Sequence, residues 1–189
     1  MYKLGLIGSP LSHSYSKQYF DKKFKQTNEY NFKYSLYELE GVQDINNLIN
    51  REQLIGFNVT RPYKTSIIHY LDSTNEEARI TNSVNTVFIN PNTKKKFGFN
   101  TDIIGFQKTM EKIKIYHTKK KALILGSGSV SRTIEYVLKK IGFMYKIVSR
   151  SPKKNMLGYQ ELKQHIQDYK LLINTTPLGQ YPDINSYPD

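Results

Sequence analysis

The run Ala122-Leu123-Ile124-Leu125 ends in Gly126-Ser127-Gly128, and that junction constrains the fold more than any other part of the chain. A strand that is apolar at every position is buried on both faces, as parallel strands covered by helices are. The glycines then turn the chain into a helical pattern that runs to Lys140. Strand, glycine turn and helix in this order open a β-α-β unit. Short apolar runs alternate with helical patterns elsewhere too, which predicts an α/β architecture with a largely parallel sheet.

In the first half, residues 4–8, 32–39 and 54–59 read as strands and 16–24 and 42–49 as helices. Residues 76–81 read as a short helix, and 84–89 with 97–99 as a hairpin around Asn90-Pro91-Asn92. Thr101 or Asp102 can cap a helix over 103–113. A basic connector, 116–121, leads to a second unit in which 145–148 and 171–173 are strands and 157–167 a helix. Two α/β domains are therefore predicted, 1–115 and 120–189, the second a partial Rossmann domain. A dinucleotide-binding domain is built from two β-α-β halves. With three strands in its second unit, the chain is expected to be cut short.

A length of 189 residues suits one large domain or two small ones. The formal charge of +12 raises a nucleic-acid partner, but 23 lysines stand against 5 arginines. Base and phosphate recognition favours the arginine fork, so nucleic-acid binding is set aside. No apolar run approaches a membrane span, and the N-terminus lacks the order of a signal peptide. A cytoplasmic protein with no membrane partner is expected. The lack of cysteine excludes disulfides and thiolate chemistry. His69, His117 and His165 are scattered without ligand spacing, and no metal is expected.

Lys64 is the first candidate for chemistry. Pro62 suits the first position of a helix, which would put Lys64 in the first turn, at the positive end of the helix dipole. A cation is poorly accommodated there, and broken local rules of this kind mark functional sites. The segment is thus a candidate acid–base site. A solvated surface lysine is the alternative.

The glycine turn is the second candidate. Gly126 permits a tight turn, Gly128 lets the backbone approach a pyrophosphate, and the helix opening at Ser129-Val130-Ser131 offers unpaired N–H groups. Where NAD-binding folds place an acid after the next strand, this chain has Ser149-Arg150-Ser151-Pro152-Lys153-Lys154. An arginine, two hydroxyls and two lysines suit a 2′-phosphate, so NADP is predicted over NAD. The alternative is a basic solvated turn.

Taken together and in order, the motifs resemble the shikimate dehydrogenase family over essentially the whole chain. They are Gly8-Ser9-Pro10-Leu11-Ser12-His13-Ser14-Tyr15-Ser16, the stretch 58–64, Ser83-Val84-Asn85-Thr86 and Asn100-Thr101-Asp102. The glycine turn, Ser149-Arg150-Ser151 and Asn174-Thr175-Thr176-Pro177-Leu178-Gly179 complete the series. The resemblance implies NADPH-dependent reduction of 3-dehydroshikimate to shikimate. By it, Ser14 and Ser16 bind the substrate carboxylate, and Thr60, Asn85 and Asp102 its ring hydroxyls. Lys64 and Asp102 form the catalytic pair. NADP falls to Gly126, Ser127, Gly128, Ser129, Val130, Ser149, Arg150, Ser151 and Lys154, with Glu76 at a further cofactor position. Read without the resemblance, Asp102 is a helix cap, Ser14 and Ser16 are turn residues, Asn85 ties down the hairpin and His13 is structural.

The chain also departs from the family pattern. Lys17 and Phe20 stand where the family often has Pro and His, which alters packing and charge beside the serine loop. Ser129-Val130 replace Gly-Ala, whose extra bulk is expected to crowd a pyrophosphate, and Lys154 replaces an Arg, keeping charge but losing the fork. The family continues past Gly179 with strands and helices that carry a Tyr and a Gln closing the substrate site. Two other readings stand beside the reductase. One is a non-catalytic homologue that binds shikimate or nucleotide; the other is a quinate/shikimate dehydrogenase using NAD, against which Arg150 argues. A homodimer is left open.

Overall fold

The structure, a computed structural model, describes residues 1–113 and 120–188. The predicted domain limit at residue 115, the connector from Tyr116 with His117 and Lys119, and Asp189 lie outside the described residues. Two compact units are present, Met1–Thr101 and Asp102–Asp189.

In the first unit, β1 (Tyr2–Gly8), β2 (Phe32–Glu38) and β3 (Leu54–Val59) pair in parallel in the order β2-β1-β3. Beyond β3, the sheet is extended by β4 (Ser73–Thr74), β5 (Thr86–Ile89) and β6 (Lys96–Phe99), in the order β5-β6-β4. β5 runs antiparallel to β3 and to β6, so this sheet is mixed rather than largely parallel. The cause is local. Asn90 Oδ1 accepts from the backbone N–H of Asn92 at 2.9 Å and Thr93 at 3.0 Å, a side-chain turn that reverses the chain into a hairpin.

The two-residue period of the strands divides this unit into two apolar layers. On one face Leu6, Leu11 and Tyr34 pack with Phe20 and Phe24 of α1 (Ser16–Gln26). On the other, Ile7, Phe57 and Val59 pack with Ile45 and Leu48 of α2 (Ile45–Glu52), Ile67 and Ala78. Ala78 belongs to α3 (Glu76–Thr81), which Asn75 caps by accepting from Ala78 N at 3.1 Å.

Residues 61–65 are turns, and the helical turn Ser66–Tyr70 that follows is a short 3-10 segment. Lys64 therefore precedes the helical residues instead of lying in the first turn of a helix, and the dipole argument made from Pro62 does not apply. Pro62 follows a cis peptide bond and sits in the turn.

The second unit contains α4 (Asp102–Ile113), β7 (Lys121–Leu125), α5 (Ser129–Lys140), β8 (Met144–Val148), α6 (Tyr159–His165) and β9 (Leu171–Asn174). Its sheet is wholly parallel, in the order β8-β7-β9. The opening sequence feature is its centre: Ala122, Leu123 and Ile124 are each 0% exposed. α4, read from sequence as the end of the first domain, packs on α5, with Met110 in one cluster with Ile134, Leu138 and Phe143. α6 starts later than the apolar pattern predicts because Leu157 bridges to Val148 and donates from its N–H to Ile147 O at 2.8 Å. Among the described residues no helix is long and apolar enough to cross a membrane, and no cluster of three His, Cys, Asp or Glu could hold a metal ion.

Leu138 is fully buried between α5 and β7, in contact with the cluster of Ala122, Ile124 and Phe143. Leu138→Ala is expected to cost about 2–5 kcal/mol of stability, read from the urea midpoint of unfolding.

Candidate active site

β1 and β3 lie side by side, and the chain leaves both at the same edge of the sheet. After β1 it enters α1 on one face, whereas α2, which follows β2, covers the other. That makes the β1/β3 edge a topological switch point, where ligands of open α/β sheets lie. The antiparallel strands bring two more segments there: Asn58 of β3 pairs with Thr86 at the start of β5, and Thr86 with Phe99 at the end of β6. Four predicted motifs thus meet at one edge: the serine loop, 58–64, 83–86 and the residues after Phe99.

Backbone bonds pin these segments to one another. Ser9 N donates to Arg61 O at 3.0 Å, Thr60 N to Ile7 O at 2.8 Å, Val84 N to Lys64 O at 2.8 Å and Val59 N to Asn85 O at 2.8 Å. Gly8 permits the first of these contacts. A Cβ there would lie 2.3 Å from Thr60 Cγ2 and 2.8 Å from Arg61 O, so any side chain would push the loop after β3 away.

The Asn58 side chain sits at the centre. Its Nδ2 donates to Asn85 O at 3.3 Å and Thr86 Oγ1 at 3.1 Å, and its Oδ1 accepts from the Tyr34 hydroxyl at 2.9 Å. Asn85 Oδ1 in turn accepts from Thr101 N at 2.8 Å, Thr101 Oγ1 at 3.1 Å and Thr86 Oγ1 at 3.1 Å. Asn85 therefore does tie the base of the hairpin together. Burial pushes the Tyr34 phenol far above its usual range, and the nearby Ser16 hydroxyl offsets only part of that. The phenol donates its proton to Asn58 Oδ1. Sequence reading assigned no role to Tyr34. The available signal was the alternation of β2, which puts a tyrosine on a buried face where its hydroxyl must find a partner.

Ser14 and Ser16 are half-buried in the loop after β1. Ser14 Oγ accepts from Ser16 N at 3.2 Å, the turn bond expected of a serine there, and this leaves the Ser14 O–H as a donor. Leu11 N is held by the Glu38 carboxylate, a contact absent from the motif reading. Thr60 and Lys64 are half-buried, and between them the Tyr63 hydroxyl donates to Leu39 O at 2.6 Å. Asp102 is the first residue of α4 and so lies inside the helix rather than capping it. It belongs to the second unit and directly follows Thr101. Glu76 opens α3, exposed and 3.9 Å from Arg79, an ion pair of little energetic weight at the surface.

In the second unit the carboxyl ends of three parallel strands build the glycine turn. Gly126 has φ +103°, which glycine adopts without steric cost, and a Cβ there would lie 2.8 Å from Thr175 Oγ1. Gly126 N donates to Val148 O at 2.8 Å, while Thr175 N and Oγ1 both donate to Leu125 O, at 2.8 and 2.7 Å. Thr175 was visible in sequence only as part of a motif; its tie to β7 is a tertiary contact. Gly128 precedes α5, and no atom lies within 4 Å of where its Cβ would be. An open helix start with an exposed Ser127 and Gly128 fits a pyrophosphate. Ser149 Oγ lies 3.4 Å from Ser127 Oγ and accepts from Ser151 N at 3.3 Å, which brings the start of the basic segment to the glycine turn. Arg150, Ser151 and Lys154 are exposed, as is Val130; Ser129 is half-buried.

Comparison with known proteins bears on both units. A model of the shikimate dehydrogenase substrate binding domain matches residues 6–87. A Methanococcus vannielii protein named shikimate dehydrogenase (NADP(+)) is 34% identical, over 98% of this chain and 71% of its own length. The crystal structure of shikimate dehydrogenase 1 from Peptoclostridium difficile superposes with a TM-score of 0.87 at 31% identity, covering 100% of this chain and 72% of that one. A further shikimate dehydrogenase, solved in complex with NADP+, gives 0.79 at 28% identity, covering 100% and 71%. The likeness runs through the serine loop, the switch-point edge and the glycine turn alike, and the chain belongs to the shikimate dehydrogenase family.

Proposed function

We propose that this chain takes part in the NADPH-dependent reduction of 3-dehydroshikimate to shikimate, with the substrate on its first unit and NADP on its second. The observation that carries this reading is the meeting of the serine loop, Thr60, Lys64 and Asn85 at a single sheet edge, framed by the Asn58 amide. The family membership supports it. Ser14 and Ser16 bind the substrate carboxylate, an acceptor-only group that suits paired hydroxyl donors. Thr60, Asn85 and Asp102 hold ring hydroxyls.

NADPH, when bound, supplies the hydride. Gly126, Ser127, Gly128 and the N–H groups of Ser129 and Val130 would hold its pyrophosphate, and Ser149, Arg150, Ser151 and Lys154 its 2′-phosphate. Glu76 is assigned to the cofactor on the family pattern alone. The protein's own chemical step is a proton transfer: Lys64 gives a proton to the substrate oxygen as it gains negative charge, and takes one in the reverse direction. Asp102 orients Lys64 and the reacting hydroxyl. The loop bonds that fix Lys64, above all Val84 N to Lys64 O, keep the lysine's backbone in place while its side chain works.

Two measurements test this. Lys64→Ala is expected to lower turnover of shikimate with NADP+ by roughly 10²–10⁴-fold, the usual worth of a positioned acid–base group, with NADP+ affinity within about two-fold of the parent. A comparable loss of NADP+ binding would remove Lys64 from the proton-transfer role. Arg150→Ala is expected to weaken NADP+ binding by about 10-fold or more through loss of a charge-assisted bond, and NAD+ binding hardly at all. Equal weakening of both cofactors in calorimetry would refute the 2′-phosphate assignment.

A further inference from the structure

Tyr34 is 1% exposed and sits on β2, which contributes none of the family motifs. Its ring is fixed by stacking on Phe20 of α1, with centroids 4.3 Å apart and planes at 14°. Its hydroxyl reaches past β1 to Asn58 on β3. A neutral phenol has one proton, and here it goes to Asn58 Oδ1.

That bond holds the Asn58 amide in the orientation that its other partners require. Asn85 O is an acceptor only, so Asn58 must present Nδ2 to it, and Oδ1 must then turn towards a donor. Tyr34 is that donor. With the amide fixed, the second Nδ2 proton goes to Thr86 Oγ1, and Thr86 Oγ1 passes its own proton to Asn85 Oδ1 or to Thr101 Oγ1. Asn85 Oδ1 is thereby surrounded by donors from Thr86 and Thr101.

We propose that Tyr34 is a positioning residue for substrate recognition: by locking the Asn58 amide it sets the seat and orientation of Asn85. The inference rests on the reading that Asn85 meets a ring hydroxyl. Replacing Tyr34 by phenylalanine keeps the ring and its stacking while removing the hydroxyl that fixes Asn58 and lies beside Ser16.

The test uses the full chain and two readouts. The first needs no ligand: hydrogen exchange of the Asn58 side-chain NH2, followed by NMR, is slow in the parent and at least about 10-fold faster in Tyr34→Phe. Unchanged exchange overturns the lock. The second is shikimate and NADP+ binding by calorimetry in a double-mutant cycle. Tyr34→Phe is expected to weaken shikimate about 10-fold and NADP+ less than two-fold, and the shikimate factor falls below about two in an Asn85→Ala background. An undiminished factor in that background, or an equal loss of NADP+ affinity, shows that Tyr34 acts through Ser16 or on the fold and not through Asn85, which overturns the proposal. Asn58→Asp, which keeps an acceptor for Tyr34 but loses both donors, is expected to weaken shikimate as much as Tyr34→Phe does; parent-like affinity overturns the proposal. Failure of the parent chain to bind shikimate at all would instead sink the substrate reading, while the exchange measurement still decides the lock.

Discussion

The Asn58 amide is the interaction on which the site depends. Three segments that are far apart in sequence, the centre of β2, the end of β3 and the loop into β5, are joined by its three hydrogen bonds. A partly buried amide of this kind is stabilising only when all its groups are paired, because each unpaired buried donor or acceptor costs about 1–3 kcal/mol. Here the pairing is complete on both atoms. The consequence is a rigid polar edge, whose donors and acceptors cannot turn to suit a different partner.

Both units reach their sites by the same topological route. In each, the first strand lies between the second and the third, in the orders β2-β1-β3 and β8-β7-β9. The loops after the first and third strands therefore emerge next to each other, without intervening chain. In the first unit these are the serine loop and the segment with Thr60 and Lys64; in the second they are the glycine turn and Thr175. Each pair also needs a glycine where backbones come close. Gly8 admits Thr60, and Gly126, at φ +103°, admits Thr175. The two glycines answer the same steric demand, although only one of them belongs to a recognised nucleotide motif.

Much of this was legible in the sequence wherever the signal is local. The strand Leu54–Val59, the helix Glu76–Thr81 and the helix ending at Lys140 fall where apolar periodicity and caps place them. What stayed hidden is what only distant residues decide. α4 has the same helical pattern whichever unit it packs against, and Met110 meeting Leu138 settles it. β4, two residues long, exists through its pairing with β6 and has no pattern of its own. For Tyr34 the alternation of β2 could mark a buried hydroxyl, but its partner is on another strand, and no spacing along the chain points to Asn58.

Lys64 shows how a residue can be singled out on an argument that does not hold. Proline before a lysine looked like a helix start, yet residues 61–65 are turns and the short 3-10 segment begins at Ser66. The helix field therefore cannot be what equips this lysine for chemistry. What remains is position: its carbonyl is held by Val84 N, one residue from Asn85, and the loop that carries it is anchored through Ser9 N to Arg61 O beneath the serine loop. Holding a flexible side chain's root in place reduces the orientation cost of any step that the side chain takes part in, which is where effective molarities come from. What places the lysine at this sheet edge is what its backbone is bonded to.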